Sequence, residues 1–211
     1  SMETVGARES DAFTTVSGVT ADEAEVLLGR RANPILPNGI DLAVVDALAG
    51  PTPRAEIRTK LARFAGAFLG EEVSDAAFLA ISGRYEFHNK GIDLALDALA
   101  DLGAAKGRRV VLFVLVPAGN SGPRPELKER LAKVGAAHDG PLGVSTHNLF
   151  DNAVDLVHKR CVERKLDNAP GSRVKVVHVP VYLGPNDGFL EEPYEAIARA
   201  MDLTLFPSYY E

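Results

Sequence analysis

A single cysteine, Cys161, stands in the 211-residue sequence. No disulfide can close within such a chain, and a reducing cytoplasm suits it. Long apolar runs are also scarce. The longest, Val110 to Val116, falls far short of the roughly 20 residues a membrane-spanning helix needs. No succession of basic, apolar and small residues opens the chain, so no secretory signal is visible. A basic excess is missing too: 23 Lys and Arg against 29 Asp and Glu leave a net charge of −6. The resulting pI of about 5.4 removes the footprint of a general nucleic-acid binder, yet leaves room for a local basic pocket. Neither G-x-G-x-x-G nor the P-loop pattern occurs, nor a G-x-S-x-G elbow, an internal repeat or a low-complexity tract. What remains, 46% hydrophobic and 25% charged residues, is the composition of a folded globular protein.

The order of segments indicates the fold. Ala12 to Val16 is β-prone. Thr20 and Glu23 have capping-box spacing and predict a helix to about Arg30. Leu42 to Leu48 and Pro53 to Phe68 read as helices, with the turn-rich Pro34 to Gly39 before them. From Ala77 the rhythm becomes regular. Strands are expected at Ala77–Ile81, Val110–Val116, Val174–Val179 and Leu203–Phe206. Helices are expected at Ile92–Ala105, Pro125–Val134, Asp151–Glu163 and Glu192–Met201. Val110–Val116 is apolar on both faces, as a central parallel strand should be. The alternation predicts an α/β fold, a Rossmann-like parallel sheet with helices on both faces. Ligands then belong outside the carboxyl ends of its strands.

The loop after the first of these strands, Gly83 to Gly91, holds Arg84, Glu86, His88, Asn89 and Lys90 between two glycines. Glycines let a ligand approach the backbone, and a following helix offers N–H groups and the positive end of its dipole. Arg84 can grip phosphate oxygens in a fork, while Lys90 supplies a point charge. The set suits a diphosphate. It equally suits a solvated loop with a Glu86–Lys90 surface pair.

The stretch SGRYEFHNKGIDLALDAL resembles the corresponding loop and helix of the animal and fungal glycogen synthases, glycosyltransferase family 3. Further stretches agree in the same order: FTTVSGVTADEAEVLL and PNGID near the start, THNLFDNAVD at Thr146 to Asp155, then RVKVVHVPVYL and LFPSYYE. The resemblance is weakest over Pro51 to Asp75 and Ala118 to Gly143.

That resemblance implies a retaining glucosyltransferase of the GT-B type. Its substrates would be UDP-glucose and the non-reducing end of an α-1,4-glucan, and it would need no metal or other cofactor. It implies that residues 1–38 are the tail of an acceptor-side domain, 39–75 a helical connection, and 76–211 an incomplete nucleotide-sugar domain. Arg84 and Lys90 match the residues that hold the donor diphosphate. Tyr194 matches an aromatic residue that stacks on the base, and its other reading is a half-buried helix position. Glu211 matches the first glutamate of a catalytic pair whose second member would lie eight positions on. The glucan would be met through a missing N-terminal domain, so the chain is expected to be inactive alone. Nucleic acid and membrane are not expected partners, and the parent can be a homo-oligomer. Two alternatives stay open: a non-catalytic nucleotide-sugar or phosphate-binding domain, and a related transferase using another donor such as ADP-glucose.

Other residues weigh less. His147 and Asn148 fall in an expected loop, where a role in the cleft and a structural cap are equally suited. His158 and Cys161 are spaced like two metal ligands on a helix but have no second pair nearby. Cys161 has no identifiable base beside it. His178 reads as an ordinary strand residue, and Gly119 to Pro125 as a flexible loop.

Overall fold

The computed structural model describes residues 1–133 and 138–209. The chain divides into two compact units, residues 1–45 and 46–211.

The first unit holds α1 (Met2–Glu9) and α2 (Gly18–Leu28). Ser17, in extended conformation, caps α2. Its hydroxyl accepts the Thr20 N–H at 3.2 Å, and the Thr20 hydroxyl accepts the Ser17 N–H at 3.3 Å. The capping box thus sits one turn earlier than Thr20–Glu23, because Thr20 already lies inside the helix. Phe13 and Thr15, in the β-prone segment, make isolated bridges to Asn33 and Ile35 instead of a strand. α3 (Leu42–Ala49) crosses the boundary between the units.

In the second unit come α4 (Arg54–Leu69), β1 (Ala77–Ser82), α5 (Ile92–Gly103) and β2 (Val110–Leu115). β3 (Asn120–Pro123), α6 (Pro125–Ala132), β4 (His147–Leu149) and α7 (Leu156–Glu163) follow. β5 (Val174–His178), α8 (Tyr194–Ala200) and β6 (Leu203–Leu205) complete it. The main sheet has the order β5-β2-β1-β6 and every pairing is parallel. β1 and β2 run in register from Ala77 opposite Val110 to Ser82 opposite Leu115.

Period-two alternation sends side chains to two separate cores. Phe78, Ala80, Val111, Phe113 and Val177 meet α4 and α8 on one face, through Leu61, Phe64, Phe68 and Ile197. Ile81, Leu112, Val114 and Val176 meet α5 and α7 on the other, through Leu96, Leu99, Val157 and Cys161. All six residues of β2 are buried, as a strand covered on both faces requires. α4 turns Ile57, Leu61, Phe64 and Phe68 inward and stops at Gly70, whose φ of 73° suits a glycine cap.

Three expectations need correction. Gly119–Pro125 is not a mere loop, and His147–Asn148 is not one either: Asn120–Pro123 and His147–Leu149 pair antiparallel as a two-stranded ribbon. The helix expected from Asp151 starts only at Leu156. Asp155 is its cap, its carboxylate accepting the His158 N–H at 2.7 Å, while Asp151 spends its carboxylate on the Ala153 N–H of a preceding turn. Among the described residues no helix is long and apolar enough to cross a membrane.

Candidate functional site

The 83–91 loop leaves the carboxyl end of β1 and is pinned at several points. Tyr85 donates its hydroxyl to Asp155 Oδ2 at 2.6 Å and accepts the Val157 N–H at 3.0 Å. The Phe87 side chain is buried against the α5 side of the sheet. Gly91, at φ 62°, lies so close to Pro207 that a Cβ would run into the Pro207 carbonyl oxygen. The Tyr209 N–H donates to Asn89 O at 3.0 Å. The loop is therefore held by the α7 N-terminus on one side and the segment after β6 on the other.

Arg84 projects from this framework. Its side chain is 77% exposed and its guanidinium sits 3.0 Å from Glu86 Oε1. Glu86, the carboxylate that the sequence offers to Lys90, is thus a partner of Arg84. Lys90 donates its backbone N–H to Glu86 O at 2.8 Å, which tightens the turn. His88 points outward and meets Asp93 Oδ2 at 2.6 Å.

The helix that follows contributes less to an anion than its position suggests. Phe87 O accepts the Ile92 N–H at 2.9 Å, Asp93 Oδ1 the Leu94 N–H at 2.8 Å, and Gly91 O the Ala95 N–H at 3.0 Å. The first turn of α5 is internally satisfied and carries the Asp93 carboxylate. An anion here gains little from that helix end, which leaves the cationic side chains of the loop as its charged partners.

Tyr194 opens α8 beside the same strand end. Its hydroxyl lies 2.7 Å from Ser82 Oγ, and its ring is half-buried against the core. His147 is buried on β4, edge-on to Phe189 with centroids 5.3 Å apart, and its Nδ1 lies 3.0 Å from the Thr146 hydroxyl. Burial lowers its pKa, against the opposing pull of the Asp187 backbone carbonyl. Asn148, its neighbour on β4, is half-buried. Glu211 lies outside the described residues.

Sequence reasoning missed Tyr85 and Asp155, since their contact spans 70 positions. They form one wall of a cavity of about 410 Å³ that also meets Gly119, Phe150 and Val154. Burial and the bond to Asp155 push the Tyr85 hydroxyl pKa well up, so it stays a donor. His178 is fully buried behind this pair, its Nε2 3.1 Å from Val116 O, and burial lowers its pKa. A larger cavity, about 750 Å³, lies between α4, α6 and the residues ahead of β1. Its arginines already serve carbonyls: Arg63 reaches Leu131 O at 2.6 Å and Arg130 reaches Ala67 O at 3.0 Å. The carboxyl ends of the strands are the better chemical site.

Cys161 is buried in α7, and burial with the Asp155 charge pushes its thiol up to about 12. A thiol so protonated is a poor nucleophile. At pH 8 a thiol-specific reagent should label the folded chain negligibly and one thiol in denaturant; fast native labelling would contradict this burial. His158 and Cys161 acquire no third partner, since no metal-sized group of His, Cys, Asp or Glu occurs among the described residues.

A parallel sheet flanked by helices, with a cationic loop after its first strand, defines an α/β domain of the Rossmann-like type, whose ligands sit at the carboxyl ends of the strands. A sequence model of the glycogen synthase family matches residues 1–131 and 123–211, and the chain belongs to that family. It is 29% identical to glycogen (starch) synthase isoform 2 of Saccharomyces cerevisiae, over 277 positions covering 100% of this chain and 39% of that protein. It is 28% identical to the liver glycogen (starch) synthase of Mus musculus, covering 100% of this chain and 38% of the relative. Identity to the Dictyostelium discoideum glycogen (starch) synthase is 30%, with 100% and 30% covered. The chain thus spans well under half the length of these relatives. The yeast alignment is also longer than the chain, so that relative carries residues with no counterpart here.

Proposed function

We propose that this chain is the donor-binding part of a retaining glucosyltransferase that moves glucose from UDP-glucose to the non-reducing end of an α-1,4-glucan. The observation that carries this reading is the 83–91 loop, which presents Arg84 from a pinned backbone at the carboxyl end of β1. In this reading Arg84 and Lys90 hold the diphosphate and neutralise the charge that grows on the departing UDP, without a metal ion. Tyr194 offers a ring to the base, steadied by Ser82. Glu211 would face the glucose and favour an oxocarbenium-like transition state. Asn148 would border the cleft from β4, with the buried His147 behind it. The acceptor would be met by another part of a longer protein, in the cytoplasm.

The test is calorimetric titration of the purified chain with UDP-glucose, UDP and pyrophosphate. All three should bind in competition, whereas glucose alone should not compete. Transfer of glucose to glycogen by this chain alone should be undetectable, because electrostatic stabilisation of the transition state needs the whole constellation. Absence of binding by UDP-glucose and UDP would sink the donor assignment. Measurable turnover would refute the division of labour.

A further inference from the structure

We infer that Tyr85 is a positioning residue for Arg84: its hydroxyl, clamped between Asp155 Oδ2 and the Val157 N–H, latches the 83–91 loop to the N-terminus of α7 and so fixes the backbone from which Arg84 reaches a diphosphate. The inference rests on the proposed donor role of Arg84.

Arg84 cannot fix itself. Its side chain is mostly in solvent and its ion-pair partner, Glu86, belongs to the same loop. Gly83, with φ 143° and no Cβ, places the least torsionally restrained residue type just before it. The turn bond from the Glu86 N–H to Arg84 O, 2.7 Å, is likewise internal. Tyr85 supplies the contact that ties this part of the loop to a distant element. Its hydroxyl serves as both donor and acceptor, and its ring stands edge-on to the buried His178 at 6.4 Å. Asp155 is no less committed, since its other oxygen caps α7. The downstream half of the loop has separate anchors in Phe87, Gly91 and Asn89. Loss of the Tyr85 hydroxyl should therefore loosen the neighbourhood of Arg84 and leave the Lys90 end in place.

The experiment is a double-mutant cycle on the 211-residue chain, with UDP as the probe in calorimetry. Tyr85→Phe keeps the ring and removes the latch. It should weaken UDP binding by about two- to tenfold, the range that one lost hydrogen bond supports. In an Arg84→Ala background the same change should have no further effect, because the group being positioned is gone. Asp155→Asn leaves one acceptor oxygen where the carboxylate served two donors on separate oxygens, so it should weaken UDP binding by no more than Tyr85→Phe does and likewise have no further effect in the Arg84→Ala background. Circular dichroism establishes that each variant is folded; should Tyr85→Phe not fold, Asp155→Ala in the same cycle removes the acceptor and serves instead. An unchanged affinity in Tyr85→Phe beside a weakened Arg84→Ala overturns the positioning role and leaves the donor site standing. Equal losses from Tyr85→Phe in both backgrounds also overturn it, since Tyr85 would then act without Arg84. No loss in Arg84→Ala itself would instead remove the donor site from this loop.

Discussion

Replacing Arg84 by alanine is expected to weaken UDP-glucose binding about 10- to 150-fold, the effect of losing roughly 1.5–3 kcal/mol from a charge-assisted contact. Folding stability should fall by less than about 1 kcal/mol, because the side chain is exposed and its partner is a surface carboxylate. The two readouts separate a ligand contact from a structural one. The first turn of α5 cannot share the load: its N–H groups are occupied, and Asp93 adds a negative charge there. Little besides the loop cations can then offset the diphosphate. Arg84→Lys should recover part of the affinity but not all, since an ammonium cannot make the two-pronged contact. Lys90→Ala should weaken binding in the same direction. Each loss should shrink as salt rises, because the site is open to solvent. A folded Arg84→Ala chain with unaltered affinity would leave the functional reading resting on family membership alone.

How much of this was legible in the sequence differs by element. β2 could be read because seven apolar residues without alternation suit a strand covered on both faces, and that is how Val110 to Leu115 lie. β3 and β4 could not. Each is three or four residues long, β3 contains glycine and proline, and their pairing crosses α6. The start of α7 was ambiguous because Asp151 and Asp155 are both competent caps; only the tertiary bond to Tyr85 distinguishes Asp155. In the site, the cations of the 83–91 loop carried their own signal. The latch did not, since a tyrosine between an arginine and a glutamate reads as an ordinary loop residue until its distant partner is known.

Lys175 gives the sharpest test of the fold's energetics. It stands within the apolar strand β5, is 1% exposed, and was hidden in the sequence by its valine neighbours. Its ammonium has three donors and meets three acceptors: Asn168 O at 3.2 Å, Ala169 O at 2.7 Å, and a carboxylate oxygen of Glu71. Glu71 is a quarter exposed and also pairs with Arg109 at 3.2 Å. Removing Glu71 strands a buried cation, whereas removing Lys175 strands a carboxylate that water and Arg109 can still serve. The two substitutions should therefore be unequal. Glu71→Ala is expected to cost about 3 kcal/mol, the low end of the range for breaking a buried pair because Glu71 is partly wet. Lys175→Met fills similar volume with no charge and should be neutral or stabilising. In the Lys175→Met background, Glu71→Ala should cost less than about 1 kcal/mol, since only its partly exposed pairing with Arg109 is then lost. Urea unfolding of the four proteins measures all three quantities. Equal and large losses from both single substitutions would mean that the pair attracts by more than its desolvation costs, and would reverse this account of why a lysine is tolerated in the strand.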